Sequence, residues 1–169
     1  MKLGHLPMRF WILQAILAGM ALVLARGVLA QVPNIEGTYK LTSRTLPDGR
    51  MQRPPEVMGL TTFTKTHRSI NIMWKDAGGK HFSLSSVSTY NLTGTEYGET
   101  LLFRIISDQI GGKEIVYDLS GKTQSSPVKM EGGRIQFKLP FEAPVVIFDR
   151  DKMTAATAGG PVAVWERVQ

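Results

Sequence analysis

The sequence contains no cysteine. A disulfide framework, a thiolate zinc site, thiol catalysis and a lipid-modified cysteine anchor are therefore excluded. Stability has to come from burial and strand pairing. Histidine is nearly as scarce, and only His67 and His81 lie beyond the first thirty residues. No His pair has ligand spacing, so neither a metal nor any other cofactor is expected. Runs of one charge sign are missing too. The formal charge is +6, but Lys2, Arg9 and Arg26 stand in an N-terminal stretch without acidic residues, and without it the excess falls to +3. A scattered surplus of that size lacks the clustered basic footprint of nucleic-acid binding.

Catalytic motifs are equally thin. Ser83, Ser85, Ser86 and Ser88 have no Gly-x-Ser-x-Gly elbow around them. Glu96 with Glu99, and Asp149-Arg150-Asp151, are the nearest approaches to paired carboxylates. Both fall at expected strand ends, where solvated charge is the simpler reading.

What is present begins with a three-part leader. Lys2, His5 and Arg9 give a positive start, and residues 10–24 form an apolar run broken by Gln14. Val28-Leu29-Ala30 then supplies small residues before Gln31, as a signal peptidase site requires. The run is shorter than the roughly 20 residues of a spanning helix. The expected organisation is a signal helix over 1–30, cleaved after Ala30, and one exported domain over 31–169, periplasmic or secreted; an uncleaved membrane anchor is the alternative for the leader. No later stretch is apolar enough to predict a membrane span.

Residues 37–45 predict the first strand, rich in Thr, with Tyr39 and Leu41 on one side. Pro47-Asp48-Gly49 predicts a turn, and Arg53-Pro54-Pro55 an extended loop positioned to lie over a barrel mouth. Residues 57–65 and 69–75 predict a hairpin around Thr66-His67-Arg68, with Ile70, Ile72 and Trp74 in period two. Along 80–92, Phe82, Leu84, Ser86, Ser88 and Tyr90 share a face. Along 96–107, Leu101, Phe103 and Ile105 are in phase, and along 114–119, Ile115, Tyr117 and Leu119. A turn at Gly111-Gly112 separates the last two, and 120–127 predicts a looser polar segment. Strands over 128–130 and 134–139 flank Glu131-Gly132-Gly133 as a hairpin, with Ile135, Phe137 and Leu139 on one face of the second. Short strands over 145–148, 152–157 and 162–168 complete the pattern. The outcome is an all-β chain of about eight to ten short antiparallel strands, a sandwich or a closed barrel.

Two stretches favour the barrel. Ile35-Glu36-Gly37-Thr38-Tyr39-Lys40-Leu41 is similar to the Gly-x-Trp opening of the first strand in lipocalin-like, calycin-related domains of the small bacterial kind. Val164-Trp165-Glu166-Arg167-Val168 is similar to the closing strand with its terminal Arg. Tyr39 stands where that superfamily usually has Trp. The resemblance implies a single up-and-down β-barrel whose first and last strands pair, with Gly37, Tyr39, Trp165 and Arg167 as structural closure. An Arg167 cation over the Tyr39 ring would contribute about 0.5–2 kcal/mol.

An eight-stranded barrel is just wide enough for side chains or one small ligand. The expected function is non-catalytic binding of a small apolar or amphipathic molecule. Trp74, Phe82, Tyr90, Phe103, Tyr117 and Phe137 are the candidate lining, and Ser86 and Ser88 the polar handles. Two alternatives stay open. One is a protein-binding module with a filled interior. The other is a barrel enzyme, an isomerase or hydrolase, assembled from scattered residues.

Overall fold

Strand pairing in this chain is carried by turns that its glycines permit. Gly49, Gly79, Gly132 and Gly133 adopt positive φ in the short connections between strands, where residues with a Cβ are strained. The computed structural model describes residues 34–76, 78–107 and 115–168. The expected leader over 1–30 and the expected turn at Gly111-Gly112 lie outside the described residues. The described strands belong to one compact unit.

The first limb holds β1 (Gly37–Thr45), β2 (Met51–Gln52), β3 (Val57–Phe63), β4 (His67–Lys75), β5 (His81–Leu92), β6 (Glu96–Ser107) and β7 (Val116–Asp118). Then follow β8 (Thr123–Pro127), β9 (Lys129–Glu131), β10 (Arg134–Lys138), β11 (Val145–Asp149), β12 (Lys152–Ala156) and β13 (Val162–Arg167). All ladders are antiparallel. The order across the strongly curled sheet is β7-β6-β5-β4-β3-β1-β13-β12-β11-β10-β9. Residues 123–131 serve both limbs, since β8 pairs with β6 and β9 pairs with β10. Ser126 Oγ donates to the Lys138 carbonyl across that seam at 2.6 Å.

The thirteen segments exceed the expected eight to ten for two reasons. The stretch expected as loose polar chain contains β8, because its backbone groups find the unpaired side of β6. The loop after β1 folds back as β2, which buries Gln52 and lets its Nε2 donate to the Lys75 carbonyl at 2.7 Å. The expected extended loop at Arg53-Pro54-Pro55 is a turn, closed by the Glu56 amide on the Arg53 carbonyl at 2.8 Å.

Period-two alternation fails at two bulges, each of which turns an arginine inward. Between Leu41 and Ser43 the register of β1 against β13 slips, so that Arg44 rather than Ser43 shares the face of Leu41. Thr42 Oγ1 donates to the Val164 carbonyl there at 3.1 Å. In β6 the slip opposite Val87 and Ser88 places Arg104 across from buried Ser86. Phe103 pairs with Val87 on the opposite face, so the expected in-phase run of Leu101, Phe103 and Ile105 is interrupted. Bulges re-aim side chains in this way because two residues occupy the space of one.

The first and last long strands pair, with Tyr39 opposite Arg167 and Leu41 opposite Trp165. The Arg167 guanidinium lies 5.2 Å from the Tyr39 ring centre, and its Nη2 donates to the Tyr39 hydroxyl at 2.8 Å. That hydroxyl donates in turn to the Ile35 carbonyl at 3.2 Å. Gly37, with φ at 142°, holds a backbone conformation that residues with a Cβ rarely adopt, directly beneath the Arg167 guanidinium.

The Tyr39 ring continues into an aromatic cluster, packing edge-on against Phe148 with ring centres 5.6 Å apart. Tyr90 stacks on Tyr97, Tyr97 on Phe137 and Phe137 on Phe148, with ring centres 5.6, 4.2 and 5.8 Å apart. Tyr97 is buried and its hydroxyl has no partner among the described residues. Burial pushes the Tyr97 hydroxyl well above its ordinary value, against the pull of Arg68. Burial also pushes Tyr90 up to about 12, and raises Tyr39 despite Arg167. All three ionise more easily in the unfolded chain. Their contribution to stability is therefore fully present below about pH 10 and is lost as pH rises through the raised values. Tyr97→Phe removes an unsatisfied buried hydroxyl. It is expected to leave urea stability at neutral pH equal or higher by about 1 kcal/mol, and to shallow the alkaline decline. A loss of stability at neutral pH would show that the hydroxyl has a partner.

Candidate functional site

Inside the curl, beside residues 139–144, lies a half-open cavity of about 250 Å³. Ile72, Trp74, Leu84, Val146, Met153, Ala155, Ala163 and Trp165 supply most of its wall. These positions alternate along β4, β5, β11, β12 and β13 with residues on the outer face. Leu139, Phe141, Glu142, Ala143 and Pro144 line it from the connection between β10 and β11. That connection, not the loop after β1, lies against the cavity.

Three arginines reach the wall: Arg44, Arg68 and Arg104. Arg68 is 3 % exposed and holds two carboxylates. Its Nη1 donates to Glu99 Oε1 at 3.2 Å and to Glu142 Oε1 at 3.0 Å, and its Nη2 to Glu142 Oε2 at 2.9 Å. Burial presses the guanidinium pKa down, but Glu142 and then Glu99 outweigh it, and the net shift is upward. Arg104 Nη1 donates to the Phe141 carbonyl at 2.6 Å, and Nη2 meets Asp118 at 3.4 Å. Two arginines thus tie residues 141 and 142 to the sheet.

Arg44 differs from both. It lies over the Trp74 ring, Cζ 5.1 Å from the centre, and its Nη1 is buried without a hydrogen-bond partner among the described residues. Burial lowers its pKa, with no carboxylate opposing. The Trp165 indole Nε1 is likewise buried and unpartnered, on the same wall.

The residues expected to line a pocket do not gather there. Of the eight, Trp74 alone lines the cavity. Phe82 stacks on Trp74 with ring centres 5.7 Å apart. Ser86 and Ser88 are buried in the sheet, Ser86 Oγ donating weakly to the Phe103 carbonyl at 3.4 Å. Tyr90 and Phe137 belong to the aromatic stack, and Phe103 sits beyond the bulge. Tyr117, on β7, is 61 % exposed, because that strand has a neighbour on one side and little beneath it.

Two charged residues depart from expectation. Arg68 belongs to β4 rather than to a turn, which is made by residues 64–66. Glu99 is 1 % exposed instead of solvated, because β6 carries it inward opposite Tyr90. Glu96 and the Asp149-Arg150-Asp151 corner are on the outside, with Asp149 accepting from Arg134 at 2.8 Å. His67 is exposed in its strand.

The Trp165 ring reaches across β1 to lie on Gly59. A Cβ at Gly59 would stand 3.1 Å from Trp165 Cη2 and 3.0 Å from the Asn71 carbonyl. Gly59→Ala is expected to cost about 1–3 kcal/mol by overpacking and to shift tryptophan emission as the ring is displaced. Unchanged melting and emission would mean that the wall has slack there.

No protein-family model, curated protein or solved structure matches this chain.

Proposed function

We propose that this is an exported, lipocalin-like barrel that binds a small, partly apolar molecule without transforming it. The leader over 1–30 would direct export to the periplasm or beyond, with cleavage after Ala30. One observation carries the binding role: an apolar-walled cavity of about 250 Å³ in the interior of a curled antiparallel sheet. By the scale of a 150 Å³ apolar cavity that accepts benzene, this one takes roughly ten non-hydrogen atoms. Pairing of β1 with β13 and the Arg167–Tyr39 contact support the barrel reading.

Catalysis finds less support. Glu99 and Glu142 do converge, but both are committed to Arg68, and Glu142 alone of the two reaches the cavity. A protein-binding module is the second reading. It draws on an outer groove, lined by Lys40, Met58, Leu60, Met73 and Ile105, where Met58 and Leu60 are exposed. Native mass spectrometry of the protein purified from its own compartment separates the two. A reproducible small adduct is expected; a clean mass with a co-purified protein would favour the groove instead.

A further inference from the structure

The two ends of the strand order are unlike. At one end, β9 carries Lys129 and Glu131 on either side of Met130, and charge on an edge strand discourages a second chain from adding to it. At the other end, β7 pairs with β6, and among the described residues no strand pairs with its far side. No lysine or proline interrupts the run from Ile115 to Leu119. Val116 and Tyr117 are 59 % and 61 % exposed, and the flanking Ile115 and Leu119 are exposed as well. The one charge in β7, Asp118, meets Arg104. β-Branched and aromatic residues favour extended chain, and an unguarded edge offers a row of amides and carbonyls to another strand.

Register decides which strand fits. Two copies of β7 related by a two-fold axis run antiparallel, as in every ladder of the sheet. With Tyr117 opposite its own counterpart, Ile115 meets Leu119 and Val116 meets Asp118. Aromatic then faces aromatic, and no like charges stand directly opposite each other. Tyr117 lies opposite Ile105, which lines the outer groove with Leu60 and Met73, so the joined strands would continue one apolar face from copy to copy. Such a contact closes at two, whereas β7 on β9 would run on without end.

We propose that two copies of this chain join edge to edge through β7, antiparallel, with Tyr117 facing its counterpart across the two-fold axis. The pairing is independent of what the cavity holds. A strand of 3 residues with its flanks buries well under the roughly 800 Å² a side of a stable complex. The dimer is therefore a weak one, half-formed at a concentration on the order of 100 µM.

Sedimentation of the purified protein from roughly 5 to 500 µM is expected to show a monomer–dimer equilibrium and nothing larger. Tyr117→Lys sets two cations opposite each other and is expected to weaken the dimer roughly tenfold or more. Its melting temperature holds, since the ring is exposed. Tyr117→Glu by itself behaves alike. Mixing the two variants restores a dimer, because in this register residue 117 faces residue 117. Leu60→Ser, in the outer groove, leaves the dimer intact. Should either charged variant not fold, hydrogen exchange of the wild type decides, with amides 116–118 more protected at high concentration. Unchanged protection, a monomer across the whole range, open-ended polymers, or folded variants that do not rescue each other overturns the assignment. So does a dimer lost in Leu60→Ser and kept in Tyr117→Lys, which puts the contact in the groove.

Discussion

Arg68→Met is expected to lower the free energy of unfolding by about 3–5 kcal/mol, the range for breaking a buried ion pair by removing one partner. The loss comes less from forfeited attraction than from what remains. Glu99, at 1 % exposure, would be left as a charge with no cation beside it, and Glu142 would lose both of its hydrogen bonds to the sheet. Replacing the carboxylates as well tests that account. Arg68→Met with Glu99→Gln and Glu142→Gln is expected to recover most of the loss, because no uncompensated charge is then buried. Urea unfolding of the single and triple variants makes the comparison. Equal destabilisation in both would mean that the arginine contributes through packing over Phe63, 5.7 Å beneath it, rather than through charge.

Phe137→Ala is expected to cost about 3–5 kcal/mol, the usual penalty for emptying an aromatic site in a core. Phe137 is 2 % exposed and lies between Tyr97 and Phe148, so its loss interrupts the stack at the centre. A milder substitution at this position separates a packing residue from a ligand residue. Phe137→Leu keeps most of the volume and is expected to preserve affinity for any cavity ligand at reduced stability. Affinity lost in step with the ring, at unchanged stability, would return Phe137 to the binding site.

Much of the strand layout was legible, because period-two alternation and glycine turns act locally. Residues 37–45 and 96–107 form strands with the expected bounds, and Ile70 and Trp74 do share the inner face of β4. The cavity wall was not legible, for three physical reasons. A bulge shifts phase without a residue type that announces it, and Thr42 and Leu102 look like any other strand residues; this concealed Arg44 and Arg104. An arginine between polar neighbours reads as a turn until its partners are known, and those of Arg68 stand 31 and 74 positions away. Finally, alternation reports which side chains share a face but not whether anything covers that face. Tyr117 and Phe137 show the same signal, yet β7 lies at an edge while β10 lies between β9 and β11.

The doubly paired stretch 123–131 has a further bearing on how the molecule keeps to itself. Its side chains are almost all solvated, and its ladder to β10 has three residue pairs. It is therefore the natural zip between the two limbs of the curled sheet, held by backbone more than by buried side chains. Lifted away, it would bare a row of amides and carbonyls on β6 and another on β10, each a template for a neighbouring chain. A polar strip with little hydrocarbon of its own thus covers backbone that neighbouring chains could otherwise pair with.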